Sequence, residues 1–147
     1  MSLVLQLGLS SLVTGSTVAV HLIGLALLMR LIRGHHQRAA TRGAIFHDAL
    51  GIAGAALGLF ILHALEIWLY AALYIVAGAF SSFEEALYFS TSTYTTVGYG
   101  DVVLPKGWRL LGAIEGANGI ILLGWSTAFF VAVVRRIRIL ELEAGDR

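Results

Sequence analysis

Three apolar stretches, each long enough to cross a bilayer, dictate what this chain can fold into. They run from about Leu3 to Ile32, Ala49 to Phe80 and Leu110 to Val134, and a spanning helix needs roughly 20 such residues. Ser10, Ser11, Thr14, Ser16 and Thr17 make the start of the first stretch polar, so its span is expected to begin nearer Leu12. Only 13% of the 147 residues are charged, where a soluble domain carries about 25%. The sequence therefore predicts an all-α membrane protein with three transmembrane helices. With no cysteine in the chain, disulfides and thiolate metal sites are excluded. No basic region precedes the first stretch, so a cleaved secretory signal is not expected. A net charge of +1 gives no reason to expect a nucleic-acid partner; the partner is the lipid bilayer.

Arginines orient the chain. Arg30, Arg33, Arg38 and Arg42 lie between the first two stretches, and Arg135, Arg136 and Arg138 end the third. The connection from Ser81 to Arg109 offers only Lys106 and Arg109 against Glu84, Glu85 and Asp101. Positive charge favours the cytoplasmic side. The first loop and the carboxyl terminus are therefore expected inside, with the connection and the amino terminus outside.

Within that connection, Phe83 to Tyr94 is too short and too polar to cross. Ser81 or Ser82 can cap a helix there, and Glu84 and Glu85 fall in its first turn, where the helix dipole favours acids. A short re-entrant helix follows. Non-helical backbone at membrane depth survives only inside protein or along a watery cavity, so the next segment, "TTVGYGD" from Thr95 to Asp101, must be buried or line a pore. A dehydrated cation needs oxygens on all sides, and an extended strand can present a ladder of carbonyls if they all point one way. Glycines at 98 and 100 permit the required backbone angles. Thr96 adds a hydroxyl, and Val97 and Tyr99 are expected to wedge the strand against its surroundings. One strand cannot encircle an ion; four such loops do so in potassium filters.

The order of outer helix, short helix, "TTVGYGD" and inner helix resembles the potassium channel pore, as found in small prokaryotic ion channels with one pore loop per subunit. The resemblance covers roughly Ala49 to Arg136. It implies a pore domain at 49–136, an extra transmembrane helix at 1–33, a basic cytoplasmic loop at 34–48 and a short cytoplasmic tail at 137–147. It also implies a homotetramer around a central pore in the bacterial inner (cell) membrane, conducting K+ passively. K+ would be bound at Thr96, Val97, Gly98 and Tyr99, with Gly100 also contributing, and no organic cofactor is implied. A separate regulatory subunit is not indicated. Thr95 would end the pore helix with Thr96, and Asp101 would sit at the mouth, bracing the filter or gathering cations. Where some relatives carry a glutamate that bonds the mouth aspartate, this chain has Ser92. Gly119 matches a hinge glycine of the inner helix, although packing is the commoner use of small residues in membranes. Ile120, Leu123, Thr127 and Val131 form a helical stripe that suits either a cavity wall or a packing face. The alternatives are a weakly selective or non-conducting cation channel subunit, or a membrane scaffold. No nucleophile–base constellation and no H-E-x-x-H motif supports an enzyme.

His21, His63, Glu66 and Glu115 lie within apolar stretches, where ionisable groups are paired or functional. His63 and Glu66 share a helix face with Tyr70 and Tyr74. They suit a polar network that bonds the first helix through His21, or a proton-sensitive switch, since histidine titrates near neutral pH. Glu115 lies about 9 Å into the third helix and is expected to bond behind the filter, standing in for the acid missing at Ser92, or to face the cavity. His35, His36 and His47 with Asp48 suit a solvated loop better than a metal site.

Overall fold

The computed structural model describes residues 2–38 and 44–145, with side chains over 2–34 and 48–137. These residues form helices α1 (Leu3–Arg38), α2 (Ala44–Val76), α3 (Phe83–Tyr94) and α4 (Arg109–Gly145), with a 3-10 turn at Lys106–Trp108 leading into α4. Three stretches are long and apolar enough to cross a membrane: Leu3–Gly34, Asp48–Val76 and Lys106–Ile137. The 12 residues of α3 span only about 18 Å at 1.5 Å per residue, against a hydrocarbon core of about 30 Å.

The helices outrun the apolar segments that predict them. The loop expected over 34–48 is helical at both ends, and α4 continues to Gly145 through most of the expected tail. Arginine, leucine and glutamate are good helix formers. The charges of the arginines and glutamates mark where the lipid ends and leave the helix free to continue. The histidines at 35, 36 and 47 lie outside the residues whose side chains are described. α1 begins at Leu3 rather than near Leu12, because its early hydroxyls bond back into their own helix. Ser10 Oγ donates to the Gln6 carbonyl at 2.7 Å, and Ser16 Oγ to the Leu12 carbonyl at 2.8 Å.

α2 stops at Val76, four residues short of the expected end. Gly78 takes φ +70°, its N–H donates to the Ile75 carbonyl at 3.0 Å, and the Ala79 N–H reaches the Tyr74 carbonyl at 2.8 Å. This is the Schellman end, in which a left-handed residue turns the chain and satisfies the last carbonyls. The turn delivers Ser82 as the cap residue of α3. The Ser82 side chain makes no capping bond; its carbonyl accepts from Ala86 N–H at 3.1 Å.

α2 is the central element, packed against α1, α3 and α4. Its Tyr70, Ala71 and Tyr74 are fully buried beside Tyr94 of α3 and Leu111 and Leu122 of α4. The rings of Tyr74 and Phe89 meet edge to face at 5.5 Å, a favoured arrangement for aromatic pairs. α1 and α2 approach through reciprocal small residues: a Cβ at Gly24 would strike Leu62, and one at Gly58 would strike Leu28. Lipid is as apolar as leucine, so close packing and buried polar bonds must supply the association. Asn118 of α4 provides two such bonds, donating to Thr17 Oγ1 at 2.8 Å and to Tyr70 OH at 3.2 Å.

Candidate functional site

α3 ends at Tyr94 with Thr95 as its cap, and the chain then turns back along the helix. Thr96 N–H donates to the Thr93 carbonyl and Gly98 N–H to the Ser92 carbonyl, each at 3.0 Å. The Tyr99 N–H points to Ser92 Oγ at 3.4 Å. Positive φ recurs at every second residue: Thr96 (62°), Gly98 (57°) and Gly100 (78°). Alternating the sign of φ undoes the usual alternation of carbonyl direction along an extended strand and turns successive oxygens toward one side. Glycine takes that conformation freely, whereas threonine at 96 bears its cost. Sequence reasoning places Thr96 in the ladder for its hydroxyl but does not anticipate its positive φ, since a β-branched side chain argues against that conformation. Among the described residues, no hydrogen bond is accepted by the carbonyls of Thr96 to Gly100.

Val97 and Tyr99 are 53% and 73% exposed in the single chain, and the space beside Gly98 and Gly100 is open to 4 Å. The wedge expected of these two side chains therefore has no counterpart within the same chain. Asp101 is held from α3. Tyr88 OH donates to its Oδ2 at 2.7 Å, and Val102 N–H to its Oδ1 at 3.0 Å. The Tyr88 bond holds the Asp101 carboxyl below its ordinary range and pushes the Tyr88 phenol up. Tyr88 stands one helical turn before Ser92, so the brace comes from a different position of α3 than the one at which some relatives carry a glutamate. The sign follows from the depressed carboxyl: the bond is fully present above the ordinary aspartate value of about 3.9 and is lost as pH falls through the lowered one. Tyr88→Phe is expected to move the Asp101 titration back up toward that ordinary value, which carboxyl 13C NMR reads directly.

Glu115 lies against the buried face of α3 and is itself fully buried. It accepts from Ser90 Oγ of α3 at 2.5 Å and from Tyr74 OH of α2 at 2.6 Å. It joins three helices: of the two roles expected of it, the bonds are of the kind expected behind the Thr95–Asp101 stretch, made to α2 and α3, and its burial gives it no cavity exposure within the chain. Ser90, one turn after Ala86 on the buried face, is a partner the sequence did not flag. Gly119 serves close approach: a Cβ there would overlap the Tyr94 carbonyl oxygen and lie 2.9 Å from its carbon. α4 is continuous through this position, so contact with the end of α3 accounts for the glycine without a hinge. Gly119→Ala is expected to cost about 1–3 kcal/mol per chain, the usual penalty of overpacking, because backbone cannot swing aside as a side chain can. Thermal unfolding in detergent checks this, with Gly8→Ala, which meets nothing within 4 Å, as the comparison.

Around Tyr94 a second polar cluster closes. Glu66 accepts from the Tyr94 hydroxyl and faces His21 Nδ1 at 2.8 Å and His63 Nδ1 at 3.0 Å. His63 Nε2 meets Ser126 Oγ of α4 at 2.8 Å. The His21 and Glu66 side chains are fully buried, and His63 is 14% exposed. α1, α2, α3 and α4 thus share one hydrogen-bonded junction, at the residue that precedes Thr95.

Comparison with families of known proteins finds a match over residues 58–136 to the family described as "Ion channel". The chain belongs to this ion channel family. Comparison with curated proteins and with solved structures returns no match. The ion channel match takes in most of α2, all of α3, the stretch from Thr95 to Asp101 and α4 as far as Arg136, and leaves α1 outside. Of the stripe on α4, Ile120, Thr127 and Val131 are exposed in the single chain. Leu123 is half-buried against the core, so the stripe is only partly free to line a conduction path.

Proposed function

We propose that four copies of this ion channel protein assemble around Thr96 to Gly100 as a potassium-selective pore that conducts K+ passively. The observation that carries this reading is the run of carbonyls at 96–100 that accept no bond among the described residues, on a strand whose φ alternates in sign. Four such strands replace the hydration shell of a potassium ion. One exposed strand cannot do so, and the uncovered Val97 and Tyr99 side chains are what neighbouring copies would cover. The C-terminal end of α3, at Tyr94, carries the negative end of a helix dipole and supports a cation on the axis. The arginines between the first two spans and after the third favour an amino terminus outside and a carboxyl terminus inside, and a bacterial cell membrane is the setting this reading assigns. No chemical step is required of it beyond conduction. Liposomes containing the purified protein are expected to pass K+ much faster than Na+ when a gradient of either is imposed. Equal fluxes, or none, overturn the potassium reading.

A further inference from the structure

We propose that His21, His63 and Glu66, with the Tyr94 hydroxyl as a fourth donor, bind a divalent transition-metal cation of the Zn2+ class. One ligand atom from each of His21, His63 and Glu66 lies within 4.8 Å of the others. In tetrahedral zinc the ligand atoms stand about 3.3 Å apart, given metal–ligand bonds of about 2.0 Å. The matching separations here are 2.8 Å from His21 Nδ1 to Glu66, 3.0 Å from His63 Nδ1 to Glu66, and 3.1 Å from His63 Nδ1 to the Tyr94 hydroxyl. Small outward movements of these side chains would admit the ion. Two imidazoles and a carboxylate suit zinc, copper or nickel, whereas calcium and magnesium require more oxygens than the cluster supplies.

The surroundings favour a ligand role as well. Ser126 Oγ can accept a hydrogen bond from His63 Nε2–H at 2.8 Å, which leaves the Nδ1 lone pair for the cation, the usual support given to a ligating histidine. His21 Nε2 is buried and has no hydrogen-bond partner among the described residues, so no bond resists turning of that ring. The Glu66 carboxylate offsets half the charge of the ion, and His63, partly exposed, gives a way in. His21 lies on α1, outside the ion channel match, so this site is one that the extra helix completes. A cation there would fasten α1 to α2 and to Tyr94, two residues before Thr96. The inference does not depend on potassium selectivity.

Purified protein stripped with a chelator and titrated with Co2+ tests it. One tetrahedral Co2+ per chain, seen by its visible absorption and displaced by Zn2+, is expected. His21→Gln, His63→Gln and Glu66→Gln should each weaken binding at least about 100-fold, and Ser126→Ala about 10-fold, the range for ligand support. A His35→Gln, His36→Gln, His47→Gln triple variant should bind as the parent does. No tetrahedral signal in the parent protein, a signal that survives His21→Gln and His63→Gln, or its loss in the triple variant overturns the proposal. Should a single variant fail to assemble, zinc X-ray absorption of the parent protein decides: two imidazole ligands support the site, and any other number contradicts it.

Discussion

Glu66→Ala is expected to be the most destabilising single substitution in the membrane-spanning part of this protein. The carboxylate is fully buried and is the shared partner of His21, His63 and Tyr94. Alanine removes all three contacts and leaves the buried polar groups of His21 and Tyr94 short of an acceptor. Bonds between transmembrane helices average about 0.6 kcal/mol each, which sets a floor of roughly 2 kcal/mol for three. Breaking a buried charged network by removing one member costs about 3–5 kcal/mol, which sets the ceiling. The upper part of that range is expected, because three side chains lose a partner at once and His21 keeps no other among the described residues, while His63 keeps Ser126 and Tyr94. Glu66→Gln keeps one acceptor and gains a donor, so it should recover at least half the loss. Thermal unfolding in detergent measures both, and a Glu66→Ala protein as stable as the parent would show that the junction contributes nothing.

Gly98→Ala is expected to have the largest effect on conduction. The residue sits at φ +57°, where an L side chain costs about 1–2 kcal/mol. Nothing lies within 4 Å of the added methyl in the single chain, so the backbone supplies the penalty there. Repeated over the four copies of the proposed pore it reaches about 4–8 kcal/mol, enough to collapse the strand into another conformation and turn its carbonyls away from the proposed axis. Loss of the K+ preference over Na+ in liposome flux is the expected readout. A D-alanine at the same position, which favours positive φ, should retain that preference. If both enantiomers behave alike, the backbone argument fails and the methyl itself is responsible.

Much of this arrangement was legible in the sequence because lipid imposes simple demands. A run of apolar residues must span, and "FEEALYFSTSTY" cannot, so the sequence alone delimits α3 at Phe83 and Tyr94. The link from His21 to His63 and Glu66 was legible too, since buried ionisable groups must find one another. Less legible were the helix ends at Arg38 and Gly145, where hydropathy changes and helix propensity does not. The partners Tyr88, Ser90 and Asn118 were also missed. Each is one polar side chain whose significance depends on which face its helix turns inward, a matter of packing that no single-helix pattern encodes. Thr96 shows the same limit for backbone: its positive φ serves the strand as a whole and runs against its own preference.

Electron microscopy of the purified protein in lipid, with K+ present, tests the assembly most directly. The expected result is a fourfold particle with density along its axis, encircled by the carbonyls of Thr96 to Tyr99, one strand from each copy. A single-chain or twofold particle, or Tyr99 loops lying apart from any symmetry axis, would contradict it.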